Sequence, residues 1–260
     1  MIAYDLCFSD SCTHVTWQGK RVGNQDEFDA YLRGPAYRRV ADETQRASFE
    51  SDLRAISTTG MASDTLEQLL TSESDREPWE IGEALAECLL EEEYNVKWPW
   101  NTERDKRTPK ASLPGADLVG FIEEGGAVFL VLGEVKTSSQ PANPPGVMNG
   151  GGGMIHQLDS LANDLKVHRT LINWLHARCK DTELWPFFQR AIGKYLESKG
   201  RALVLFGLLM RDTNPHELDL KNRAKALSQN VEALTRVELN AWYFPRPINE
   251  WPSLLAGGGS

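Results

Sequence analysis

Asp117, Glu134 and Lys136 are the residues of this chain whose types and spacing could do chemistry. They lie in PGADLVGFIEEGGAVFLVLGEVKTS, residues 114–138, where two runs of branched and aromatic residues flank EEGG, the pattern of a β-hairpin. Charged groups inside such a pair need a reason, because burial without a partner disfavours the ionised form. A turn through Glu124 and Gly125 sets Asp117 opposite Leu132, on the face that carries Glu134 and Lys136. A slip of one residue would send Asp117 to the other face. Diagonal neighbours across paired strands have side-chain roots about 7–8 Å apart or less, so both carboxylates can reach one ion. Two acids aimed at one point repel each other unless a cation lies between them, and oxygen donors favour Mg²⁺ or Mn²⁺. Magnesium takes few protein carboxylates and keeps the rest of its shell for water and substrate phosphate. Lys136, one pleat beyond Glu134, can orient an attacking water or a phosphate, or accept a proton. The plain alternative is an ion pair between Glu134 and Lys136 at a strand end.

The elements that must position these residues follow from periodicity. EPWEIGEALAECLLEEEYNV has apolar residues at helical spacing and Pro78 in its first turn, so a helix precedes the hairpin. YNVKWPW, residues 94–100, reads as a short strand, and the polar loop after it carries Arg104, Lys106, Arg107 and Lys110, candidates for phosphate contact. The Pro- and Gly-rich segment SSQPANPPGVMNGGGGM reads as a mobile loop. It leads into a long helix over about residues 155–178, near whose start Gln157 is a further candidate for substrate contact. A helix around LWPFFQRAIGKYLES, a strand in RALVLFGLLM covered on both faces, a helix after residue 215 and a last strand in VELNAWYF complete the pattern. The class is α/β with a mixed central sheet flanked by helices. Residues 1–75 read as a small mixed region of short helices and turns, residues 76–256 as the main domain, and Gly257–Ser260 as a linker outside the fold.

Net charge is −9, which argues against a protein that coats nucleic acid by electrostatics alone. Residues 1–100 hold 20 acids and 9 bases, a balance of −11, and residues 101–260 hold 17 acids and 19 bases, a balance of +2. A polyanion would meet the second portion, while the acidic first portion suits a protein partner or solvent. No apolar run is long enough for a membrane span, the N-terminus lacks the pattern of a secretory signal, and four scattered cysteines suit reduced thiols, so a cytoplasmic location is expected. Motifs of nucleotide motors, dinucleotide-binding domains and zinc enzymes are missing from the sequence.

PGAD ending at Asp117, followed by Glu134-Val135-Lys136, resembles the bipartite signature of the PD-(D/E)xK phosphodiesterase superfamily. The surrounding order of helix, strands, helix and strand, over about residues 78–210, is similar to its restriction-endonuclease-like core. Gly115 and Ala116 stand between Pro114 and Asp117, a looser form of the motif. The resemblance implies Asp117 and Glu134 as ligands of Mg²⁺ or Mn²⁺, Lys136 as the catalytic lysine, and a further carboxylate from the preceding helix. Glu83 is chosen for that place, although Glu80 and Glu87 flank the apolar stripe as closely. The acidic first part, GEVK, the long helix and the closing WYFPRPINEW also resemble nuclease subunits of bacterial anti-phage systems such as Hachiman, which work with a helicase partner. The function implied is hydrolysis of DNA phosphodiester bonds, by an endo- or exodeoxyribonuclease. The alternatives are an RNase, or a non-catalytic scaffold in a nucleic-acid-processing complex.

Overall fold

Leu203–Arg211 is a strand buried along all 9 of its residues, which requires a neighbour on each edge and cover on each face. The computed structural model, which describes residues 1–71, 76–106 and 115–256, supplies both. The elements in chain order are β1 (Asp5–Cys12), β2 (Val15–Arg21), α1 (Gln25–Tyr31), α2 (Tyr37–Ala41), α3 (Glu43–Ile56), α4 (Gly60–Thr71) and α5 (Pro78–Tyr94). Then follow β3 (Leu118–Glu124), β4 (Ala127–Ser138), α6 (Met154–Asn163), α7 (Leu165–Cys179), α8 (Trp185–Glu197), β5 (Leu203–Arg211), α9 (Lys221–Leu227), β6 (Arg236–Tyr243) and α10 (Trp251–Ala256). The strands form a 6-stranded sheet in the order β1-β2-β6-β5-β4-β3. Pairs β2/β6, β5/β6 and β4/β5 are parallel, and β1/β2 and β3/β4 antiparallel. The expected class, α/β with a mixed sheet flanked by helices, is what the chain adopts.

Two apolar clusters divide the interior by sheet face. Leu203, Leu205 and Leu209 of β5 pack with α6, α7, α8 and α9, whereas Val204, Phe206, Leu208 and Met210 pack with α1, α5 and α10. The period-two alternation of a strand makes this division.

Several expectations change. The first 21 residues were expected as short helices and turns, yet they hold the β1–β2 hairpin, and β2 joins the sheet beside β6. Residues 94–100 contribute only an isolated bridge, Lys97 to Phe121, in place of a strand. The single helix over 155–178 is two helices broken at Asp164, whose extended backbone ends α6 and whose side chain accepts from the Lys166 N–H to cap α7. The helix after residue 215 shrinks to a turn at Glu217–Asp219 and the short α9. The segment read as a loop has one 3-10 turn, Gly146–Met148; the Arg211 guanidinium donates to its Ala142 carbonyl, and within it the Gly146 N–H donates to Gln140 Oε1.

Candidate functional site

The β3–β4 hairpin turns through Gly125 and Gly126, both at positive φ (55° and 78°), a two-residue turn that glycine adopts without strain. Register is therefore Leu118 opposite Gly133 and Glu124 opposite Ala127, shifted by two residues from the expected pairing. A shift of two preserves the face. Asp117, one residue before β3, now comes level with Glu134 instead of lying diagonal to it. Its N–H donates to the Gly133 carbonyl at 3.1 Å, and its Oδ2 accepts from the Val135 N–H at 2.8 Å. Residues 134–138 of β4 run on past the start of β3, without a β3 partner among the described residues. Glu134 is 2% exposed, and Lys136 donates to its Oε1.

The helix glutamate arrives from α5. Pro78 opens that helix, and a reciprocal pair caps it, with the Glu77 side chain accepting from the Glu80 N–H and the Glu80 side chain accepting from the Glu77 N–H. At Gly82 the helix lies so close to β4 that a Cβ would meet Thr137 Oγ1 at 2.2 Å. This approach brings the next residue, Glu83, within range of Asp117 and Glu134. Of the three glutamates left open by helical spacing, Glu80 pairs with Lys106 at 2.6 Å and Glu87 with Arg39 at 3.3 Å. Glu83 is the one that faces the other acids.

Electrostatics register the convergence. Burial first, then the charge of Asp117, push the Glu83 carboxyl up to about 9, with Lys106 pulling the other way. Burial and Asp117 push Glu134 up to about 8, against the Lys136 ammonium. Asp117 is also raised, by burial, with the Val135 N–H and Lys136 opposing. Among the described residues, no three His, Cys, Asp or Glu side chains are already gathered in metal-holding geometry. The donor set nonetheless fits a hard cation: burial raises all three carboxylates, the charge of Asp117 raises Glu83 and Glu134 further, and their oxygens are ligands that Mg²⁺ or Mn²⁺ prefers. The residues that would hold such an ion are Asp117, Glu134 and Glu83.

The expected phosphate contacts fare differently. Arg104 is bound in bidentate fashion to Asp42, at 2.5 and 3.0 Å. Lys106, half-buried, lies between Glu80 and Glu103, at 2.6 and 2.7 Å. Both cations are engaged by carboxylates, Arg104 by one that follows α2 and Lys106 by Glu80 of α5 and by Glu103. Arg107 and Lys110 lie outside the described residues, as does Pro114. Gln157, half-buried on α6, has a buried Oε1 with no partner among the described residues. Sequence reasoning missed the pairing of Arg39 with Glu87 and of Lys106 with Glu80, since both depend on segments far apart in the chain.

Compared with family models, curated proteins and solved structures, the chain matches none. No helix among the described residues is long and apolar enough to cross a membrane.

Proposed function

We propose that this protein is a divalent-metal-dependent nuclease that hydrolyses phosphodiester bonds of DNA. One observation carries the reading: Asp117 and Glu134 come level at the start of the β3–β4 pair, with Lys136 on the same face and Glu83 delivered by α5. When bound, Mg²⁺ or Mn²⁺ supplies an activated water and offsets charge on the phosphoryl oxygens. The chain's own groups do the rest. The Val135 N–H fixes one oxygen of the Asp117 carboxylate. Glu134 holds the Lys136 ammonium in position, and that ammonium can orient the attacking water and stabilise charge on the scissile phosphate. The new P–O bond forms as the bond to the leaving sugar oxygen breaks, and the buried setting keeps these contacts strong.

A net charge of −9 supports delivery of the DNA by a protein partner, and a helicase subunit of a bacterial anti-phage system suits that task. Phe49, Ile56 and Met61 on α3 and α4 are exposed at 46%, 73% and 82%, apolar surface consistent with a protein contact. The test is incubation of the chain, alone and with its co-expressed genomic neighbours, with plasmid, linear and single-stranded DNA and RNA plus Mg²⁺ or Mn²⁺. Metal-dependent DNA cleavage that the Glu134→Ala/Lys136→Ala variant lacks is the expected result. Cleavage that persists in the variant removes the assignment, and inertness with every partner favours a scaffold.

A further inference from the structure

A cleft of about 610 Å³ opens between α2, the C-terminal half of α5 and the segment 98–104. Trp98 forms one wall. Its ring lies against β3 at Gly120, where an added Cβ would meet the indole at 2.8 Å, and its Nε1–H donates to the Glu87 carbonyl. Trp100 forms another, with the Arg104 guanidinium 4.7 Å from its ring centroid and its own Nε1–H buried without an acceptor among the described residues. Two carboxylates that line the cleft have arginine partners, Asp42 in Arg104 and Glu91 in Arg39, which Glu87 shares. Arg38, exposed at the rim, has no carboxylate partner among the described residues.

The position ties the cleft to the candidate active site. Arg39 and Asn101 line both this cleft and a cavity of about 20 Å³ that reaches Glu83. Glu91, on the cleft wall, lies about 12 Å along α5 from Glu83 at the helical rise per residue. We infer that the cleft takes one nucleotide of a single-stranded stretch of the substrate, its base against the tryptophans and its phosphate on Arg38. This rests on the nuclease reading, which makes the occupant the substrate strand. The half-buried Trp98 indole and the Arg104 guanidinium over Trp100 suit a planar, unstacked base, whereas paired bases inside a duplex cannot present their faces. A lone guanidinium at the rim suits a phosphate.

The test uses the Glu134→Ala/Lys136→Ala variant of the full chain, which binds without cutting, and a fluorescein-labelled short oligothymidylate. A duplex and a nucleoside monophosphate serve as competitors. Arg38→Glu should weaken binding about tenfold and Arg38→Lys much less. Arg169→Glu, the same charge change at an exposed site on α7 outside the cleft, should have a smaller effect than Arg38→Glu; thermal melts confirm that each variant is folded. Equal losses for Arg38→Glu and Arg169→Glu, unchanged binding in Arg38→Glu, no binding of the oligonucleotide, or preference for duplex overturn the inference. Failure of the nuclease reading appears separately, as no metal-dependent cleavage by the unaltered chain even where Arg38-dependent binding is found.

Discussion

Three glutamates on α5 meet different fates. Glu80 and Glu87 are each answered by a cation from a distant segment, Lys106 and Arg39, whereas Glu83 has Asp117 and Glu134 for neighbours. The answered acids hold the 98–106 segment and α2 against the helix. The unanswered cluster, three acids sharing Lys136 and the partial pull of Lys106, opposes its own burial. Glu87 too is raised, to about 7, chiefly by burial, so what sets the second group apart is that its carboxylates meet across α5 and the β3–β4 pair, the arrangement the proposed function uses.

The largest effect that sharpens this contrast is on cleavage. Replacing Glu134 by Ala should reduce the rate by roughly 10²–10⁴-fold, measured on plasmid with Mg²⁺, with no loss of thermal stability, and Lys136→Ala should reduce it as much while also lowering stability, because it strands the buried Glu134. The answered acids should behave in the opposite way. Lys106→Met strands Glu80 and Glu103 and should cost about 3–5 kcal/mol in a urea melt. If Lys106→Met were neutral in stability, the division between structural and functional acids would collapse.

The pH dependence of stability comes next. Glu134 and Glu83 are raised from 4.5 to about 8 and about 9, so the folded chain binds more protons than the unfolded chain between these limits. Their contribution is therefore most favourable below about 4.5 and declines as pH rises toward 8 to 9. Glu134→Gln removes its share of that decline, so the variant should exceed the parent at pH 8 by on the order of 2 kcal/mol and show little difference at pH 4.5. Melts of both proteins across this range check the sign. The smallest effects concern two helical glycines. Gly193 of α8 has open space where a Cβ would go, and Gly193→Ala should gain about 0.5–1 kcal/mol. Gly82→Ala meets Thr137, so the same helix-propensity gain should be cancelled or reversed by about 1–3 kcal/mol of overpacking. It should also lower cleavage by moving Glu83 away from Asp117.

Much of the central sheet could be read from β-branched and apolar runs, and the shared face of Asp117, Glu134 and Lys136 survived a register error because the error was even. The β1–β2 hairpin escaped notice because DLCFSDSC is an exposed edge strand with little apolar alternation. The break at Asp164 escaped because Leu158, Leu161, Leu165 and His168 continue the helical stripe across it; only the capping geometry of one carboxylate ends the first helix. Glu83 could not be separated from Glu80 and Glu87 by spacing. That choice depends on where Lys106 and Arg39 fold back, which is tertiary information. The bases at 104 and 106 were read as free for the same reason.

The most direct measurement is a crystal structure of the unaltered chain soaked in Mn²⁺, with anomalous diffraction at the metal edge. The account predicts a peak bounded by the carboxylates of Asp117 and Glu134, with Glu83 toward it, and its loss in Glu134→Ala. Saturating Mn²⁺ with no peak there, and Lys136 still closed on Glu134, would contradict it.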